Sequence, residues 1–286
     1  MLPAPAWHAA AEAHDARLRP VLAPYLERRA RGARDPVLDF LFEYYRFRPS
    51  RLLRWSPGLG TALTGDADAF LRNTAFTRTA QGIALDPARF PARRRASVRW
   101  IRDVLAGTAE RAPFLGCHGL HEWAMVYRTE APRHPYPLRL APEALAAVVE
   151  ARPVACTHFD AYRFFTPGAR PLNRLRPTRA TMPAMEQPGC LHTNMDLYRW
   201  AYKLYPWIPS ALLADAFLLA HRIRMVDMRA SPYDLRSLGL APIPIETPEG
   251  RRAYRAHQQR FAREAAPLRR RLLALVDTLL AHVPGA

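Results

Sequence analysis

Three short stretches of this chain each hold a cysteine, a histidine and a carboxylate within seven residues. They are Cys117-His118-Gly119-Leu120-His121-Glu122-Trp123, Cys156-Thr157-His158-Phe159-Asp160 and Cys190-Leu191-His192-Thr193-Asn194-Met195-Asp196, and they account for every cysteine in the chain. Neutral imidazole and carboxylate are good ligands for iron, zinc or copper, and two histidines with one carboxylate suit non-haem iron. On that reading His121, His158 and His192 hold a transition metal, and Glu122, Asp160 or Asp196 completes the shell. The spacing matches no compact zinc motif of the CxxC or HExxH kind. Buried histidines satisfied by neighbouring carboxylates would give the same pattern. Two cofactor states therefore stay open, none or a transition metal.

The third stretch continues as a helix face. His192, Asp196, Arg199 and Lys203 follow i, i+4, i+7 and i+11, which puts them on one stripe. Tyr198, Trp200, Tyr202, Tyr205 and Trp207 make the surroundings aromatic, so the charged stripe is expected to line a cleft. Lys203 is the only lysine among 42 basic residues of the Lys and Arg types. It alone could serve as a compact ammonium or a Schiff-base nucleophile. After the second stretch, Tyr162, Phe164 and Phe165 could stack a planar ring, or simply fill core. Arg170, Arg174, Arg176 and Arg179 follow with no acid before Glu186, a pattern suited to phosphates or a substrate carboxylate.

The elements that must position these groups read as mostly helical, in a single domain over 1–286 with a minor β-hairpin. Residues 6–33 form an N-terminal capping helix. Asp35-Pro36 opens a helix to Tyr45, with Val37, Phe40, Leu41 and Tyr44 as its apolar stripe. A hairpin over 71–85 turns at Gln81-Gly82. Helices follow over 95–106, 119–128 and 142–150, then a buried extended entry at 154–158 and a proline-rich loop at 168–183. Helices over 191–205 and 210–228 are divided by Pro206 and Pro209. An irregular 230–248 leads to a long helix capped by Thr247-Pro248-Glu249. The candidate site region is 116–203.

The formal charge is +17 with 49% hydrophobic residues. Such a field favours polyanions, nucleic acid above all. No apolar run approaches the roughly 18 residues of a membrane span, and the N-terminus lacks an apolar signal core. Three cysteines make no disulfide framework, so a soluble cytoplasmic protein is expected.

The strings DPVLDFLFEYYRFRPSRLLRW, GLHEWAMVYR, CTHFDAYRFFTP, QPGCLHTNMDLYRWAYKL and DMRASPYDL resemble a bacterial family usually labelled 3-methyladenine DNA glycosylase. The likeness runs from about Ala6 to the last helix. It implies an enzyme that releases an alkylated base from DNA, with DNA as partner. Trp123, Tyr162 and Phe164 would then receive the flipped base, Arg163 and Asn194 would join the substrate-binding set, and the four loop arginines would touch the backbone. Asp160 or Asp196 would be the catalytic carboxylate, with Glu122 a further candidate and Lys203 the nucleophile of any lyase step. The alternative is a metal-dependent oxygenase or hydrolase acting on a small anionic substrate.

Overall fold

The computed structural model describes residues 1–283. The chain is mainly α-helical. Its α-helices are α1 (Ala4–Ala30), α2 (Pro36–Asp39), α3 (Pro49–Leu52), α4 (Arg95–Glu110), α5 (Leu120–Ala124), α6 (Pro142–Glu150), α7 (Phe159–Tyr162), α8 (Met182–Met185), α9 (Leu191–Leu204), α10 (Ser210–Ala230) and α11 (Pro248–His282). Two strands, β1 (Phe76–Thr79) and β2 (Gly82–Leu85), form one antiparallel hairpin that pairs Phe76 with Leu85 and Thr79 with Gly82. The chain divides into two compact units. Unit 1 comprises Met1–Asp103, Leu197–His221 and the chain from Leu268 onward; unit 2 comprises Val104–Asp196 and Arg222–Pro267. No helix among the described residues is long and apolar enough to cross a membrane.

Within unit 1, α1 buries Trp7, His14, Leu18, Leu22 and Tyr25, a spacing that keeps them on one face. Asp35 caps α2 by accepting from the Val37 and Leu38 amides at 3.2 and 3.0 Å. The helix expected through Tyr45 changes character after Asp39. Phe40–Tyr44 is a π-helical turn, closed by the Phe47 amide donating to the Phe42 carbonyl at 2.7 Å. The wider turn rotates the face, so Leu38 and Phe42 are buried beside Val37 and Leu41, while Phe40 and Tyr44 are only half-buried.

His14 carries a pH effect that belongs to unit 1 alone. Its Nε2 bonds the Leu52 carbonyl at 2.9 Å, and its Nδ1 is buried without a partner. Burial lowers its affinity for a proton below the ordinary histidine value of 6.5. Below that pH the unfolded chain takes up a proton that the folded chain resists, so stability drops as the pH falls. One proton gives a slope of at most about 1.4 kcal/mol per pH unit. Urea midpoints compared at about pH 7.5 and 5.5 should fall less in His14→Gln than in the parent chain; equal falls would remove His14 as a cause.

In unit 2, Asn173 ties two loops. Its Oδ1 accepts from the Cys156 amide at 2.7 Å, and its Nδ2 donates to the carbonyls of Cys156 at 3.1 Å and Leu175 at 2.7 Å. The expected extended entry is thereby a single bridge, Val154 beside Asn173. The helix expected over 119–128 stops at Ala124, whose carbonyl accepts the Thr166 amide at 3.2 Å instead of continuing the helical ladder. Thr247 caps α11 as expected, with its Oγ1 accepting from the Gly250 amide at 3.0 Å.

Candidate metal centre

All three cysteine–histidine–carboxylate stretches lie in unit 2, and their histidines meet. The His121 and His192 rings are 4.6 Å apart and nearly perpendicular; the His158 and His192 rings are 5.2 Å apart and stacked at 29°. The first stretch is set by α5. Gly119 enters it with φ of +79°, and a Cβ there would stand 3.3 Å from the Tyr254 ring. The turn that leads into α5 places Cys117 Sγ 3.4 Å from His121 Nδ1. Trp123, fully buried, donates from Nε1 to the Ala230 carbonyl at 3.0 Å and so fastens α5 to the end of α10.

That fastening presents His121 and Glu122 to Arg224 and Asp227, which occupy successive turns of α10. His121 Nε2 lies 3.1 Å from Asp227 Oδ1 and 4.0 Å from Glu122 Oε1. His192 Nε2 approaches Asp227 Oδ2 at 3.8 Å. One ligand atom from each of His121, Glu122, His192 and Asp227 falls within 4.8 Å of all the others, and all four residues are buried. Ligands bound to one ion at about 2.1 Å stand roughly 3 to 4.2 Å apart; the 3.1, 3.8 and 4.0 Å separations fall in that range, and the widest of the group would close by about half an ångström around an ion. Arg224 Nη1 bonds Asp227 Oδ2 at 2.7 Å and Glu122 Oε1 at 3.3 Å, which neutralises part of the carboxylate charge.

The electrostatics sort the histidines. Burial, with the Asp227 charge only partly opposing it, pushes His192 down to about 3, so its imidazole is neutral. Its ring nitrogens hydrogen-bond to no described residue. Burial also opposes the charged form of His121, but the Cys117 sulfur and Asp227 outweigh it and raise its affinity for a proton. Burial would raise Asp227, and His192, His121 and Arg224 reverse that and hold it well below the usual carboxylate range. Burial and then the Asp227 charge raise Glu122.

His158 stands apart from this ligand group. Its Nδ1 caps α7 by accepting the Ala161 amide at 3.2 Å. A neutral ring with Nδ1 so used carries its proton on Nε2, which faces Asp196 Oδ2 at 3.4 Å and Glu186 Oε1 at 3.5 Å. His158 thus donates to Asp196, with Glu186 beside it as an ion-pair neighbour, and the candidate group that the fold assembles holds His121 and His192 without it. Glu186 is held by Thr193 Oγ1 on its other oxygen.

No family model, curated protein or solved structure matches this chain. The site is therefore described by its own chemistry. Of the other residues singled out in the sequence, Asp160 is buried and pairs with Arg163 at 3.1 Å. Tyr162 and Phe164 are half-buried. Asn194 is fully buried, with Nδ2 on the Pro188 carbonyl at 2.8 Å. Arg170, Arg174, Arg176 and Arg179 are exposed; Arg170 reaches the Arg163 carbonyl at 3.3 Å and Arg176 the Leu175 carbonyl at 3.0 Å. The stripe on α9 grades from buried His192 and Asp196 through half-buried Arg199, which stacks on Trp200 at 4.7 Å, to exposed Lys203 in unit 1. Sequence reading missed Asp227, Arg224 and Glu186. The available signal for the first two was an Arg-Met-Val-Asp run in α10 that places a basic and an acidic side chain three residues apart.

Proposed function

We propose that the chain is a metal-dependent enzyme of the non-haem iron or manganese kind, an oxygenase or hydrolase acting on a small anionic substrate. The observation that carries the reading is the convergence of His121, Glu122, His192 and Asp227 within 4.8 Å, all buried. The donor set is two imidazoles and two carboxylates without a thiolate, which suits iron or manganese better than a closed structural zinc site. A six-coordinate ion held by four protein atoms keeps two positions for water, dioxygen or substrate. Cys117 gives His121 an outer partner on Nδ1, the arrangement that leaves Nε2 for a metal. Metal content of untagged protein, measured by mass spectrometry of the dissolved sample, is expected to be about one iron or manganese per chain. Protein purified without chelator and carrying no transition metal would return these histidines to hydrogen bonding.

A second reading, release of an alkylated base from DNA, is supported by the +17 charge and by the exposed arginines of 170–179. Asp160 or Asp196 would be its carboxylate, and the half-buried Tyr162 and Phe164 its stacking faces. Its test is base release from alkylated duplex DNA together with duplex binding at low salt. Binding no tighter than that of a neutral control protein would end it.

A further inference from the structure

The segment 129–137 carries Arg133 and His134 on its exposed stretch, and it is attached to the chain that follows α10. The His134 amide donates to the Tyr233 hydroxyl at 3.4 Å, and the two rings meet edge to face at 5.4 Å. Leu138 pairs with Tyr233, and the Asp234 amide donates to the Pro137 carbonyl at 2.7 Å. Arg139 then fixes the end of the segment. Its guanidinium grips Glu246 through two bonds of 2.6 and 3.0 Å and lies 5.2 Å from the centre of Trp123, the neighbour of Glu122. Through Arg139 the segment therefore ends beside Trp123, which adjoins Glu122 in α5.

Arg133 is the unusual residue there. Its guanidinium carbon stands 4.0 Å from the centre of the Phe164 ring, and that of Arg163 stands 4.3 Å from the same centre. Arg163 is neutralised by Asp160 at 3.1 Å. Arg133 has no carboxylate: it is exposed, and its guanidinium hydrogen-bonds to no described residue. Stacking fixes the plane of the guanidinium and leaves its edge of N–H donors open, the geometry that takes a carboxylate or phosphate through two parallel bonds. A flexible solvated arginine would have neither the ring under it nor a pinned segment behind it.

We propose that Arg133 binds the oxyanion group, carboxylate or phosphate, of the substrate of the neighbouring metal centre. The inference rests on the metal-enzyme reading for the word substrate, and its test is arranged to stand apart from that reading. The full chain, loaded with Mn(II), is titrated calorimetrically with benzoate and with inorganic phosphate at constant ionic strength. At least one probe is expected to bind, and the one that binds identifies the anion class. Arg133→Ala is expected to weaken that probe about tenfold or more, and Arg133→Lys to fall between, because lysine keeps the charge without the planar fork. Manganese content should be equal in all three proteins. Unchanged affinity in Arg133→Ala, no binding of either probe, or loss of manganese from the variant would overturn the proposal. If the parent chain takes up no metal, the metal-enzyme reading fails by itself. The same titration on metal-free protein then decides Arg133 independently: a tenfold loss keeps the anion site, and no loss removes it.

Discussion

Metal content is expected to fall from about one equivalent per chain to below about a tenth when His192 is replaced by alanine, with the fold retained. His192 is the sharpest of the ligand positions because it has the least to lose in any other role. Its side chain makes no hydrogen bond to a described residue, and its neutral ring lies edge to face on His121 and 3.8 Å from Asp227. If the cluster were a structural hydrogen-bond network, His192→Ala would remove only packing against His121 and His158. Circular dichroism and the urea midpoint would then show a modest change, and nothing else would move. As a ligand, one of four, its loss should weaken the metal at least about a hundredfold, since a buried ion bound with roughly 10 kcal/mol or more draws a few of those from each donor. Asp227→Asn should also release the metal, but it leaves Arg224 and His121 buried without their counter-ion and lowers stability as well. Full metal retention in His192→Ala would sink the assignment.

The three histidine stretches were legible because each packs its donors into a few consecutive residues. Local spacing carries across to the folded chain when a short helix holds it, as α5 holds His121 and Glu122. The fourth member of the cluster was not legible. Asp227 is 106 residues from His121 in the chain, and its i−3 neighbour Arg224 makes it look like an ordinary helix ion pair. Nothing local distinguishes a pair turned toward a cluster of imidazoles from one turned toward water. His158 was read with the other two histidines, and the fold leaves it outside the four-residue group for the opposite reason. Its motif is local, but the atom that matters is Nδ1, and its use as the cap of α7 depends on where Ala161 places its amide. Helix starts at Asp35 and Thr247 followed from their capping chemistry. The π-turn after Asp39 did not, because one extra residue in a turn leaves no compositional trace.

Arg224→Met is expected to be harsh in the metal-free chain and mild in the loaded one. In the metal-free state Arg224 bridges Glu122 and Asp227, at 3.3 and 2.7 Å, and all three side chains are buried. Removing the guanidinium leaves two buried carboxylates facing one another with less positive charge nearby, a loss of about 3–5 kcal/mol. For a chain of this size that corresponds to a melting temperature lower by roughly 10 °C. A bound divalent cation supplies the missing charge between the same two carboxylates, so the loaded variant should melt close to the loaded parent. The variant should also bind the ion more tightly, because a competing cation has gone from beside it. A network with no metal role predicts a different result, an equal loss of stability with and without added manganese. The comparison of four melting curves, parent and variant, stripped and loaded, therefore reads the coupling between Arg224 and the metal directly. It does so without any knowledge of the substrate.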